Sequence, residues 1–298
     1  MRIEFNDLKG KEESTLFIIG NGFDLYHDVK SKYKHFCCWL NLNDHEDFVE
    51  DIEHIFPKLD GNQISLWSNF EEVLQSYNLD DLYSTLHTEN HVHWDPKTWR
   101  KTAQKMEITT RQMRPLMREW AKQIEINNVN PNLELSKKSL YLTFNYTNLL
   151  EETYQIPSDR ICHIHGSVDD DEVIVGHVRW KKPEDYNAQS DEKEIVCREF
   201  LKVLNKLNKE TDEQIGKHET FFNLLKNVTH VVVLGHSMGD IDRVYFREVL
   251  NRVQKGCHWH FGKHSTNDDL MIHKFINATQ ESCRNNKIEL SNCWIFNY

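Results

Sequence analysis

Thr15-Leu-Phe-Ile-Ile-Gly-Asn-Gly-Phe-Asp24 is the stretch from which the fold of this chain can be read. Thr15 to Ile19 is a short apolar run rich in β-branched and aromatic residues, the pattern of a parallel strand buried on both faces. Gly20-Asn21-Gly22 then breaks the run, and the bare positions 20 and 22 let backbone N–H groups come close to a ligand. A Gly-x-Gly turn after a strand serves equally as simple turn chemistry, and the longer dinucleotide fingerprint is absent. From this stretch alone, a tight turn and the phosphate end of a nucleotide site are both open.

Working outward, Val228-Thr-His-Val-Val-Val-Leu-Gly235 is a second apolar strand of the same kind. Ser139 to Tyr146, Arg160 to Gly166, Glu172 to His177, Cys257 to Phe261 and Ile288 to Phe296 also read as strands. Between them lie segments with apolar residues at helical spacing. These include Tyr33 to Leu40, Phe48 to Phe56, Leu66 to Leu74, Lys97 to Asn127 with a kink or division expected at Pro115, a helix to about Val253, and Asp269 to Gln280. In Leu66 to Leu74, Glu71 and Glu72 read as solvated borders of the apolar stripe. Thr147 or Asn148 is placed to cap a short helix over Leu149–Tyr154.

Strands alternating with helices predict an α/β protein with a mostly parallel sheet covered by helices on both faces, and a large helical insertion after the first strand. In such sheets ligands lie outside the carboxyl ends of the strands, where strand order reverses. Gly20-Asn21-Gly22-Phe23-Asp24, Asn145-Tyr146-Thr147, His165-Gly166 and Gly235-His236-Ser237 each follow a predicted strand directly. Their convergence on one crevice is the main functional expectation drawn from the residues themselves.

The totals narrow the class. At 298 residues with 39% hydrophobic content the chain can bury a substantial core, and a net charge of −11 gives no footprint for nucleic acid. No apolar run approaches membrane-spanning length and no cationic leader precedes an apolar core, so a cytoplasmic location without membrane contact is expected. Seven cysteines, an odd number without Cys-x-x-Cys, argue against a disulfide framework or a thiolate zinc site.

Ile18-Ile-Gly-Asn-Gly-Phe-Asp24, Trp67-Ser-Asn-Phe-Glu71, Thr143-Phe-Asn-Tyr-Thr147, His163-Ile-His-Gly166 and Gly235-His-Ser-Met-Gly-Asp-Ile-Asp242 together resemble the AbiH family of phage abortive-infection proteins. That family is in turn similar to the sirtuin-like superfamily, whose Rossmann-type domain binds NAD and in many defence systems hydrolyses it. Helical spacing places an insertion over 31–135 and dense charge of both signs a second one over 179–217, and the resemblance implies a Rossmann-like core over 15–30 and 136–298. It further implies that Gly20 and Gly22, with Asn21 where Ala is usual, contact the dinucleotide. Asn145 matches the Asn beside the nicotinamide ribose, and His165 matches the catalytic base. Gly235, Ser237 and Asp242 match a loop on the adenosine half. The four-cysteine zinc module of deacetylating sirtuins has no counterpart.

The expected activity is therefore NAD glycohydrolysis by a phage-defence effector, with NAD as substrate and no metal. Cleaving the nicotinamide–ribose bond passes through an oxocarbenium-like state, so the site must hold a water and stabilise positive charge. An Asn can hold that water or a ribose hydroxyl, and a His can take the proton. Asp24 could accept a ribose hydroxyl, support the cation, or hold its own turn. His163 reads as a buried core histidine or a functional one. A homo-oligomer through the helical insertion and a phage or host protein trigger are expected, because constant NAD loss would kill the host.

Three other classes stay open. Gly235-His-Ser-Met-Gly239 matches a hydrolase nucleophile elbow, with Ser237, Asp268 or Asp269 and His273 in the required order. The pairs His163/His165, His91/His93 and His258/His260 fit a metal-dependent nuclease or phosphoesterase. A non-catalytic sensor of a nucleotide such as ADP-ribose would need only the crevice.

Overall fold

A computed structural model describes residues 8–56, 63–68, 70–76, 96–178, 191–264, 266–282, 288–289 and 293–297. The chain divides into two compact units. One comprises residues 1–31, 121–173 and 211–298, and the other residues 32–120 and 174–210.

The first unit is built on a six-stranded sheet of β1 (Thr15–Ile19), β2 (Leu140–Thr143), β3 (Ile161–His163), β4 (His230–Leu234), β5 (His258–Lys263) and β6 (Cys293–Asn297). The spatial order is β3-β2-β1-β4-β5-β6 and every neighbouring pair is parallel. Strand order thus reverses between β1 and β4, the place where parallel α/β sheets open a crevice. Register aligns the strand ends there. Ile19 lies opposite Thr143 on one side and Leu234 on the other, and Thr143 lies opposite His163. The ladder runs one step further, through Gly20 N–H to Leu234 O (2.9 Å), Phe144 N–H to Ile19 O (2.9 Å) and Ile164 N–H to Thr143 O (3.1 Å).

Both faces are covered, so β1 and β4 are buried at every position and apolar at all but their first residues, Thr15 and His230. Leu16 and Ile18 point into a core shared with α10 (Glu219–Leu224), α11 (Arg243–Arg252) and α12 (Thr266–Ser282), through Phe222, Phe246 and Phe275. Phe17 and Ile19 point the other way, against Phe23 of α1 (Asn21–Tyr26) and Leu149 and Leu150 of α7 (Leu149–Glu152). Phe17 also stacks on Tyr141 across the β1–β2 pair at 5.1 Å. Among the described residues, no helix is long and apolar enough to cross a membrane.

The second unit is helical. It contains α2 (Tyr33–Leu42), α3 (Glu46–Ile55), α4 (Gln63–Ser68), α5 (Phe70–Ser76), α8 (Asp191–Asn205) and nearly all of α6 (Pro96–Ala121), while α9 (Thr211–Lys217) belongs to the first unit. Its core gathers aromatic rings about Phe36, 6.2 Å from Trp39, 6.0 Å from Trp67 and 5.4 Å from Trp120.

Several local expectations differ from the structure. Pro115 does not divide its segment and lies inside the single helix α6, whose buried Met113, Met117 and Trp120 hold the following turns in place. Residues 172–177 form no strand of the sheet; His177 instead makes one bridge to Asn208 in the helical unit. Glu71 is not a solvated border residue. Its carboxylate accepts from the fully buried Lys209 Nζ at 2.9 Å and from Gly176 N–H at 3.2 Å. Neither Thr147 nor Asn148 caps α7 with its side chain, because both are used elsewhere.

Candidate functional site

The reversal point joins two glycine loops directly. Gly22 N–H donates to Gly235 O at 2.7 Å, and a Cβ on Gly235, at φ +64°, would lie 2.1 Å from Phe23 N. A Cβ on Gly20 would meet His236 Cα at 2.6 Å, and one on Gly22 would meet Gly235 Cα at 2.7 Å. The bare positions are therefore accounted for by loop-on-loop contact, since real side chains never come so close. Asn21, half-way between, accepts from Ser31 Oγ.

Beside this junction Asp24 is buried, with 1% of its surface exposed. Its two oxygens are shared between neutral donors: Asn145 Nδ2 to Oδ1 at 2.7 Å and Thr147 Oγ1 to Oδ2 at 2.8 Å. Burial pushes the Asp24 carboxyl up to about 7, although the Thr147 and Asn145 hydrogen bonds and the His163 charge favour the ionised form. A carboxyl at that level changes charge near neutral pH, a property common at functional sites.

Asn145 follows β2 by two residues, and its orientation is dictated by its partners. Nδ2 donates to Asp24 Oδ1 and also to Gly20 O at 3.2 Å, so both amide protons are used on acceptors. The carbonyl oxygen is left: Asn145 Oδ1 is buried and has no hydrogen-bond partner among the described residues. An orphaned acceptor of this kind costs about 1–3 kcal/mol unless water or a ligand donor meets it.

His165, just past β3, is 4% exposed. Its ring stands edge-on to Phe144 at 5.2 Å and to Tyr245 at 5.6 Å, and Nε2 lies 3.6 Å from Asp242 Oδ1. The other Asp242 oxygen lies 3.6 Å from His236 Nε2, so one carboxylate faces two imidazoles. His236 also packs on Phe144, at 4.3 Å, and its Nδ1 accepts Met238 N–H at 2.8 Å, which leaves the Nε2–H tautomer facing Asp242. Asp242, His236, Phe144 and Tyr245 thus enclose His165 at the carboxyl ends of β2, β3 and β4.

The elements of the other readings are arranged differently. Ser237 is exposed. Asp269 pairs with Lys263 Nζ at 2.8 Å, Asp268 accepts His264 N–H at 2.8 Å, and His273 is exposed on α12, so no hydrolase triad is assembled from these residues. His258 stacks on His230 at 5.1 Å and His260 does so at 5.8 Å, a stack of rings at the amino ends of β4 and β5. No group of three or more His, Cys, Asp or Glu among the described residues is arranged to hold a metal ion. His91 and His93 lie outside the described residues.

Two further residues join the site, Thr147, which the sequence reads as a helix cap, and His163, which it leaves open between a core and a functional role. Thr147 looks like a helix cap because Ser and Thr before an apolar turn usually are, yet its hydroxyl goes to Asp24. His163 bonds Glu151 Oε1 at 2.9 Å through Nε2 and Asn145 O at 3.0 Å through Nδ1. Its place in the His-x-His motif was the available signal.

The bacteriophage abortive infection family AbiH matches this sequence over residues 16–263, a span that contains every strand-end cluster described above. A search among curated proteins found no match. On the extent of the family match, this chain belongs to the AbiH family of bacteriophage abortive infection proteins.

Proposed function

We propose that this abortive-infection protein binds a nicotinamide dinucleotide in the crevice at the β1–β4 reversal and hydrolyses it to nicotinamide and ADP-ribose. The observation that carries the reading is the Asn145 amide. With both N–H groups spent on Asp24 and Gly20, Asn145 can only accept, so whatever meets Oδ1 must donate a hydrogen bond. A ribose hydroxyl or an attacking water fits that demand, and a phosphate oxygen does not.

In this reading Asn145 holds the ribose or the water, and the Asp24 carboxylate polarises the amide from behind. The negative charge on Asp24 also favours the oxocarbenium-like state as nicotinamide departs with the bonding electron pair. His165, oriented by Asp242, takes the proton released when water adds to C1′, a contribution of about 10²–10⁴-fold. Gly20, Asn21, Gly22, Gly235 and Ser237 border the rest of the dinucleotide.

A second reading, a nucleotide sensor without chemistry, is favoured by the burial of His165 among Phe144, Tyr245 and Asp242. One experiment separates the two. The purified protein, supplied with extract of phage-infected cells as the source of any trigger, should release nicotinamide from NAD⁺. His165→Ala and Asn145→Ala should each lower the rate at least ~100-fold while leaving the melting temperature within a few degrees. ADP-ribose binding without nicotinamide release, phage protection being intact, would move the assignment to the sensor. Control by a phage or host trigger, a homo-oligomer through the helical insertion and a cytoplasmic location belong to the same proposal, since unregulated NAD loss is lethal.

A further inference from the structure

His163 contacts two groups that can only accept. Its Nδ1 lies 3.0 Å from the Asn145 carbonyl oxygen and its Nε2 lies 2.9 Å from Glu151 Oε1. A neutral imidazole carries one N–H and would leave one of these contacts as two facing lone pairs. An imidazolium donates to both. The ring is 12% exposed and the Glu151 side chain 25%, so solvent does little to replace either bond.

We propose that His163 is a positioning residue of the site, held as an imidazolium between Glu151 and the Asn145 backbone so that it fixes the Asn145 amide. This rests on the reading that Asn145 meets the ligand. Asn145 is gripped at both ends: its backbone oxygen by His163 and its side chain by Asp24 and Gly20. The charge also acts at longer range, favouring the ionised form of Asp24.

The charged groups acting on His163 come from different parts of the chain. Glu151 of α7 and Asp170 of the loop after β3 favour the cation, and Asp24 of α1 and His218, which precedes α10, feel its charge. Burial works against the charged ring, but the Glu151 hydrogen bond and charge, the Asn145 carbonyl and Asp170 outweigh it, so the ring titrates above its ordinary range.

The test is nitrogen-15 NMR of the histidine rings in the full chain, with His163 assigned by its loss in His163→Gln or its displaced titration in Glu151→Gln. His163 should titrate above a free imidazole, with both ring nitrogens protonated on the acid side of that titration, and Glu151→Gln should lower it. A titration in the parent protein at or below that of a free imidazole, or one indifferent to Glu151→Gln, overturns the proposal. The second readout is the pH dependence of kcat/KM for nicotinamide release. His163→Gln should lower kcat about tenfold and move the acid limb upward by ~1 pH unit, because Asp24 loses a favourable charge. An acid limb that stays in place overturns the positioning role. If the parent protein releases no nicotinamide, hydrolysis fails as a function, and the ring spectrum still decides the state of His163.

Discussion

The two units of this protein each hold a carboxylate by hydrogen bonds to buried groups, and they stabilise it in opposite ways. In the helical unit Glu71 meets the ammonium of Lys209, whose side chain is 0% exposed, and a backbone N–H from Gly176. In the sheet unit Asp24, 1% exposed, meets an amide and a hydroxyl, and among the described residues no cation lies within ion-pairing distance. A buried charge with a counter-ion is a fastening, costly to break on one side only. A buried carboxyl held by neutral donors stays poised, because it titrates near neutral pH. This difference separates a structural carboxylate from a candidate functional one without reference to any reaction.

The largest effect should come from breaking the fastening. Glu71→Gln leaves the buried Lys209 ammonium without its counter-charge and should destabilise the protein by about 3–5 kcal/mol, seen as a lower midpoint in urea unfolding. Adding Lys209→Met should restore much of the loss. A single Glu71→Gln variant as stable as the parent would erase the contrast between the two carboxylates.

A smaller change of opposite sign is expected at Asp24. Its carboxyl titrates at about 7 in the folded protein and near 3.9 when unfolded, so the folded state holds the extra proton between those values. The group's contribution is therefore most favourable at low pH and is lost as pH rises from about 4 through about 7. Asp24→Asn should raise the melting temperature at pH 8 relative to the parent and narrow the gap at pH 5. Nicotinamide release should fall at least ~10-fold, since charge and polarisation are removed together. Destabilisation by Asp24→Asn at pH 8 would make Asp24 a fastening like Glu71.

The smallest effect sharpens the comparison with a buried base. Burial, helped by Lys11 and His258, lowers His230 to about 4. Below about pH 6.5 the unfolded chain takes up this proton first, so stability should fall as pH drops from about 6.5 to about 4, the reverse of Asp24. His230→Phe keeps a ring against His258 and His260 and should flatten the acid side of a plot of melting temperature against pH. An unchanged acid slope would show that His230 is already hydrated.

The sequence by itself determined the strand–helix alternation, the burial of β1 and β4 on both faces, the insertion between β1 and β2, and membership of the AbiH family. These are legible because hydrophobic periodicity and short motifs are properties of neighbouring residues. Only the tertiary structure decided that β6 closes the order β3-β2-β1-β4-β5-β6, and that the bare Gly20, Gly22 and Gly235 pack on each other's loops. It also directed Thr147 to Asp24 rather than to a helix end, and Glu71 to Lys209 rather than to solvent. Asp24 and Asn145 are 121 residues apart and Glu71 and Lys209 are 138 apart. Which polar groups meet at such separations depends on strand register and on how each element packs, and one residue of slip would exchange every partner.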